Sequence, residues 1–117
     1  MSARDLVREL AARGLTLATC ESLTGGLIAA EITSVPGSSR VFRGGLVTYA
    51  SDLKVVLAGV DAAWIAAHGV INDDTARQMA EGAIRACGAD VSVAVTGVAG
   101  PSSQDGRPPG EVWVGLA

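Results

Sequence analysis

The stretch Thr19-Cys20-Glu21-Ser22-Leu23-Thr24-Gly25-Gly26 decides the reading of this chain. Before it lies a short apolar run, Leu15-Thr16-Leu17-Ala18; after it comes the helix-like Leu27-Ile28-Ala29-Ala30-Glu31-Ile32. A strand that turns sharply into a helix through Ser, Thr and paired glycines serves one of two ends. Helix-end N–H groups can hold an anion, or the turn can hold a hydroxyl out at the sheet edge as a nucleophile.

Outward from that turn, strands and helices alternate. Leu6, Val7, Leu10 and Ala11 recur at helical spacing and Gly14 follows as a stop, which predicts a helix from Ser2 to Arg13. Leu15 to Thr19 reads as a strand and Thr24 to Thr33 as a helix, closed by the breaker-rich Val35-Pro36-Gly37-Ser38-Ser39. Val41 to Tyr49 reads as a strand, with Gly44-Gly45 marking a bulge or a close backbone approach. Ser51 or Asp52 can cap a short helix through Lys54, and Asp61 another over Ala62 to Ala67. Asn72 or Asp73 caps the longest later helix, Asp74 to Cys87, whose Ala76, Met79, Ala80, Ala83 and Ile84 share a face. Val91 to Val95 is a buried strand ending in the turn Thr96-Gly97-Val98-Ala99-Gly100-Pro101. Ser102 to Pro109 reads as an exposed polar loop, and Glu111 to Ala117 as a last strand. This alternation predicts a layered α/β fold. The short approach through Pro108-Pro109-Gly110 points to a mixed, mostly parallel sheet.

The totals set the class. At 117 residues the chain is one domain, and 49% hydrophobic with 18% charged residues is a well-buried globular composition. A net charge of −3 with no basic face argues against nucleic acid as a partner, because phosphate neutralisation dominates that affinity. Cys20 and Cys87 match no metal spacing and read as reduced, buried thiols. The N-terminus is charged and helical in period, unlike a secretory leader, and no apolar run approaches the ~20 residues of a membrane span. The expectation is a cytoplasmic protein without membrane contact.

Three strand ends carry polar residues beside glycines: Thr19 to Gly26, Thr48-Tyr49-Ala50-Ser51, and Thr96 to Gly100. Ligands of open α/β sheets bind at such ends. Ser22 is the candidate nucleophile; as a lone residue its commoner fate is a helix cap, and Thr24 can cap equally well. A serine needs a base. The one histidine, His68, ends a short helix and reads as a helix-end cation, so a Ser-His-Asp triad is not compelling. Lys54 is the one lysine, among the apolar Leu53, Val55 and Val56. Desolvation would ease its deprotonation and let it serve Ser22, although an exposed helix position is the usual place of a lysine. The lone Tyr49 is either half-buried packing or a hydroxyl that holds substrate or lysine. Asp52 and Asp73-Asp74 read as solvated caps rather than metal ligands.

Glu21-Ser22-Leu23-Thr24-Gly25-Gly26 resembles the ESxTGG signature of the CinA C-terminal-domain family, the nicotinamide mononucleotide deamidases. The resemblance continues through Pro36-Gly37-Ser38-Ser39, Phe42-Arg43-Gly44-Gly45-Leu46-Val47-Thr48-Tyr49 with Lys54, and His68-Gly69. It runs on into Thr96-Gly97-Val98-Ala99-Gly100-Pro101 and Gly110-Glu111-Val112-Trp113, so it spans nearly the whole chain. It implies an α/β/α sandwich, usually dimeric, that hydrolyses the amide of nicotinamide mononucleotide to nicotinic acid mononucleotide and ammonia without metal or cofactor. It implies Ser22 and Lys54 as the catalytic pair, with Tyr49 orienting the pair or the substrate. Thr24, Gly25, Gly26, Gly45, Thr96, Gly97 and Gly100 would border the small-molecule nucleotide. The sequence departs from the family pattern at Ala50 to Leu53 and at Asn72-Asp73, and residues 1–117 are expected to lack the family's last strand and C-terminal helix. A non-catalytic nucleotide-binding or interaction domain that keeps the pocket is the alternative, and a hydrolase of another small amide a third.

Overall fold

Ser2 starts the first helix by a reciprocal cap: its hydroxyl accepts from Asp5 N–H (3.1 Å) while the Asp5 carboxylate accepts from Ser2 N–H (3.0 Å). In the computed structural model, which describes residues 1–117, this helix, α1, spans Ala3–Arg13 and ends on Gly14 at φ 66°. Then follow β1 (Leu17–Glu21), α2 (Leu27–Thr33), a single 3-10 turn at Ser38–Arg40, β2 (Phe42–Val47) and α3 (Ser51–Val56). The chain continues through α4 (Ala62–His68), α5 (Asp73–Cys87), β3 (Val91–Gly97) and β4 (Val112–Leu116).

The sheet order is β2-β1-β3-β4. β1 runs parallel to both neighbours, and β4 returns antiparallel to β3. β1 is buried at every residue, as a central strand covered on both faces must be. The Gly44-Gly45 reading holds: Leu17 pairs with Phe42 but Ala18 with Gly44, so β2 carries an extra residue there. Alternation along the strands divides the two larger of three core clusters between the faces of the sheet. Ala18, Cys20 and Ala94 point to α5 and meet Met79, Ala80 and Ala83. Leu17 points the other way and packs with Val7, Leu10, Ile32 and Val41, under α1 and α2. The result is a three-layer α/β/α sandwich whose α5 side is built from small residues and tightly spaced.

Several boundaries differ from the sequence reading for local reasons. β1 starts two residues later and continues to Glu21, because Leu15 and Thr16 are spent closing α1 and tying to Asp90. α2 starts at Leu27 rather than Thr24, since Gly25 and Gly26 take φ of 62° and 111° and cannot be helical. α3 has Ala50 in its cap position, with no side chain bonded there, in place of Ser51 or Asp52. Asn72, not Asp73, caps α5 through Thr75 N–H. No helix is long and apolar enough to cross a membrane.

Because β1, β2 and β3 are parallel, their carboxyl ends meet at one edge of the sheet. Ser22, Thr48-Tyr49 and Gly97 all lie there.

Candidate active site

At that edge a cleft of about 270 Å³ is lined by Ser22, Leu23, Tyr49, Ala50, Ser51, Val70, Ile71, Gly97, Ala99 and Gln104. A larger apolar groove of about 560 Å³ lies on the α1/α2 face, among Leu6, Leu10, Ile28, Val93 and Leu116. Convergent polar groups, not volume, mark the smaller cleft as the place for chemistry.

Lys54 is 1% exposed and Ser22 5%. The Lys54 Nζ lies 3.0 Å from Ser22 Oγ, 2.6 Å from the Thr48 carbonyl oxygen and 3.3 Å from that of Tyr49. Both carbonyls can only accept, so they fix two of the amine's N–H bonds. The third tetrahedral direction points at Ser22. When the amine is neutral, that direction holds its lone pair, and the Ser22 hydroxyl becomes the donor. Burial pushes the Lys54 pKa below the ordinary lysine range, against the opposing pull of Cys20 and Asp105. Burial thus eases loss of the proton from an amine aimed at the Ser22 hydroxyl.

The turn that carries Ser22 is held by a residue the sequence reading left out. Glu21 is 1% exposed, yet its carboxylate is well satisfied. Oε1 accepts from Thr24 Oγ1 (2.6 Å), Gly26 N–H (3.2 Å) and Ile28 N–H (3.0 Å), and Oε2 accepts from Ala29 N–H (3.0 Å). Burial alone would raise its pKa; these four hydrogen bonds outweigh burial and hold it below the usual carboxylate range. Glu21 thus caps α2 from the strand side and leaves Ser22 free of that duty. Local capping rules look to the residue at the helix start, so a cap reaching forward from five to eight residues upstream escapes them.

The remaining sites predicted from sequence divide. Ser22, Tyr49 and Gly97 line the cleft, and Lys54 lies buried behind Ser22 rather than in the lining. Tyr49 meets Lys54 through its backbone carbonyl; its side chain is 68% exposed at the mouth. Thr24, Gly25 and Gly26 form the Glu21 turn beside the cleft rather than its lining, and the Thr24 hydroxyl donates to Glu21 instead of capping. Thr96 is buried, with Oγ1 donating to the Val70 carbonyl at 2.8 Å. Gly100 lies in the turn beyond the lining. Gly45 is away from the cleft: a Cβ there would overlap Thr19 Oγ1, so the residue serves the close approach of β2 to β1. His68 is exposed, stacks on Trp64 with ring centroids 3.8 Å apart, and does not line the cleft.

The family model of the CinA C-terminal domain matches residues 1–117. The chain belongs to the CinA C-terminal domain family. Among its relatives, a protein of Symbiobacterium thermophilum named as competence-damage inducible is 54% identical over 111 residues, covering 94% of this chain and 26% of that relative. A "CinA-like protein" of Chlorobaculum tepidum is 49% identical over 113 residues, covering 96% of this chain and 27% of that relative. The chain thus spans about a quarter of the length of these curated relatives. Two solved structures of CinA-type proteins superpose closely. One from Escherichia coli has a TM-score of 0.93 at 33% identity, covering 97% of this chain and 67% of that one. One from Agrobacterium tumefaciens has a TM-score of 0.92 at 40% identity, covering 97% and 70%. The CinA fold therefore accounts for the sheet order that brings the Ser22 turn and Lys54 to one edge.

Proposed function

We propose that this CinA domain is an amidohydrolase in which Ser22 and Lys54 convert nicotinamide mononucleotide and water to nicotinic acid mononucleotide and ammonia. The observation that carries the reading is the buried Lys54 amine, tied by two carbonyls and aimed at Ser22 Oγ from 3.0 Å. The Ser22 oxygen attacks the carboxamide carbon while its proton passes to Lys54 Nζ. The C–N bond then breaks, the proton moves to the departing nitrogen, and ammonia leaves. Water, giving its proton to the neutral Lys54, attacks the acyl-serine; collapse frees the acid and returns the proton to Ser22.

The developing oxyanion needs donors. Leu23 follows the nucleophile and lines the cleft, and its N–H makes no hydrogen bond within the chain, which supports that role. The apolar Val70, Ile71 and Ala99 suit a flat ring beyond the reacting amide. Support for the substrate itself comes from the family resemblance. A homodimer, implied by that resemblance, is part of the same proposal.

Incubation with nicotinamide mononucleotide, with ammonia and the acid product both quantified, tests the reading. Equimolar release of the two is expected. Saturable binding of the nucleotide without release would favour a non-catalytic binding domain, and ammonia from other amides only would move the substrate class.

A further inference from the structure

The sequence from Ser102 to Pro109 reads as an exposed loop, and all ten residues from Pro101 to Gly110 are indeed exposed. It is nevertheless ordered as a small hairpin. Gln104 and Arg107 exchange backbone hydrogen bonds of 3.0 and 2.8 Å around Asp105-Gly106, both at positive φ (52° and 73°). That is the conformation an Asp-Gly pair favours in a two-residue turn. The hairpin's base is tied at Val98, the residue after β3, which bonds Gly110 N–H and the Glu111 carbonyl. Its tip makes one hydrogen bond to the body of the protein: the Asp105 carboxylate accepts from Val70 N–H at 3.1 Å.

The receiving segment is held by hydrogen bonds of its own. The Val70 carbonyl accepts from buried Thr96, and the Gly69 carbonyl from Asn72 Nδ2 at 3.1 Å. Gly69 sits at φ 75°, and a Cβ there would come within 2.9 Å of the Asp105 carboxylate, so glycine makes the space for the contact. Val70 and Ile71 on this segment line the cleft, and so does Gln104 beside the latch.

We propose that the 101–110 hairpin is a strap across the mouth of the cleft, that Asp105 latches it, and that Gln104 is the specificity-determining residue it presents to the outer half of the substrate. This rests on the function proposed above. With the reacting carboxamide at buried Ser22, whatever the ring carries points outward, to the exposed rim where Gln104 stands. A neutral carboxamide that both donates and accepts matches the hydroxyls of a sugar attached to the ring. A tip with one anchor opens when that anchor is lost, because nothing else buries it.

Amide hydrogen exchange of the 117-residue chain, read at Val70, tests the latch without any reference to activity. The Val70 amide is expected to be protected in the wild type and in Asp105→Asn, which keeps the acceptor oxygen, and to exchange at least about tenfold faster in Asp105→Ala. Equal protection in all three would overturn the latch. In steady-state assays, Gln104→Ala is expected to raise KM for nicotinamide mononucleotide about tenfold while kcat changes less than about threefold. An unchanged KM, or a loss confined to kcat, would overturn the role of Gln104. Asp105→Asn adds a readout that a structural role would not move. Asp105 and Cys20 are the ionisable groups that oppose deprotonation of Lys54, so removing the Asp105 charge shifts the acid limb of the rate profile to lower pH. If the wild type releases no ammonia, the functional reading fails and Gln104's role with it, while exchange at Val70 still decides the latch.

Discussion

A lysine that serves as a base must lose its proton and be pointed, and separable features of the site favour each for Lys54. Burial lowers its pKa. The Thr48 and Tyr49 carbonyls take its N–H bonds and leave one direction, toward Ser22. The expected pH–rate profile rises with pH as Lys54 loses its proton, through an apparent pKa below the ordinary value of about 10.4. A profile flat across that range would speak against Lys54 as the base. Lys54→Arg keeps charge but cannot deprotonate, and ammonia release is expected to fall by at least about a hundredfold. Thr19 shows the opposite case of a buried polar group: its hydroxyl has no partner. Thr19→Val keeps the shape and removes the unpaired oxygen. Chemical denaturation is expected to show unchanged or higher stability, by up to about 1 kcal/mol.

At the scale of elements, the α5 face and the β1–α2 turn carry the most. Met79 is the largest apolar side chain among the alanines between α5 and the sheet, and it is fully buried. Met79→Ala is expected to cost about 2–5 kcal/mol in denaturation, because so tight a face has little room to collapse into the cavity. The helical period of α5, the Asp61 and Asn72 caps and the glycine-marked bulge were legible because each is a local signal. The reach of Glu21 was not. It joins the end of a strand to amides up to eight residues on, and no periodicity marks it. The latch of Asp105 on Val70, 35 residues apart, was hidden in the same way, inside a segment read only as an exposed polar loop. Ser22 and Lys54 were each visible as unusual residues. Their meeting depends on the β1–β2 pairing, in which Thr48 N–H donates to the Glu21 carbonyl and so places the strand end that holds the lysine.

For the molecule as a whole, the parallel order of three strands gathers these parts at one edge, and three carboxylates make its stability depend on acid. Glu21, Asp5 and Asp90 all titrate below the usual range in the folded state. The Glu21 shift outlasts its burial because Thr24 and three backbone amides of the α2 start bond its carboxylate. A depressed folded pKa means stability that is in place above the unfolded carboxylate pKa of about 4 and is lost as pH falls through the folded value. Thermal melts are expected to decline through that window. Glu21→Gln is expected to lose stability at neutral pH, by about 1–3 kcal/mol, and to decline less in acid. A variant that matches the wild type at both ends would remove Glu21 as the holder of the turn. If Ser22, freed from capping and served by Lys54, attacks the amide, ammonia release from nicotinamide mononucleotide depends on its hydroxyl, and Ser22→Ala measured against the wild type decides this. A loss of at least about a thousandfold in kcat is the expected result; activity within about tenfold of the wild type would contradict Ser22 as the nucleophile.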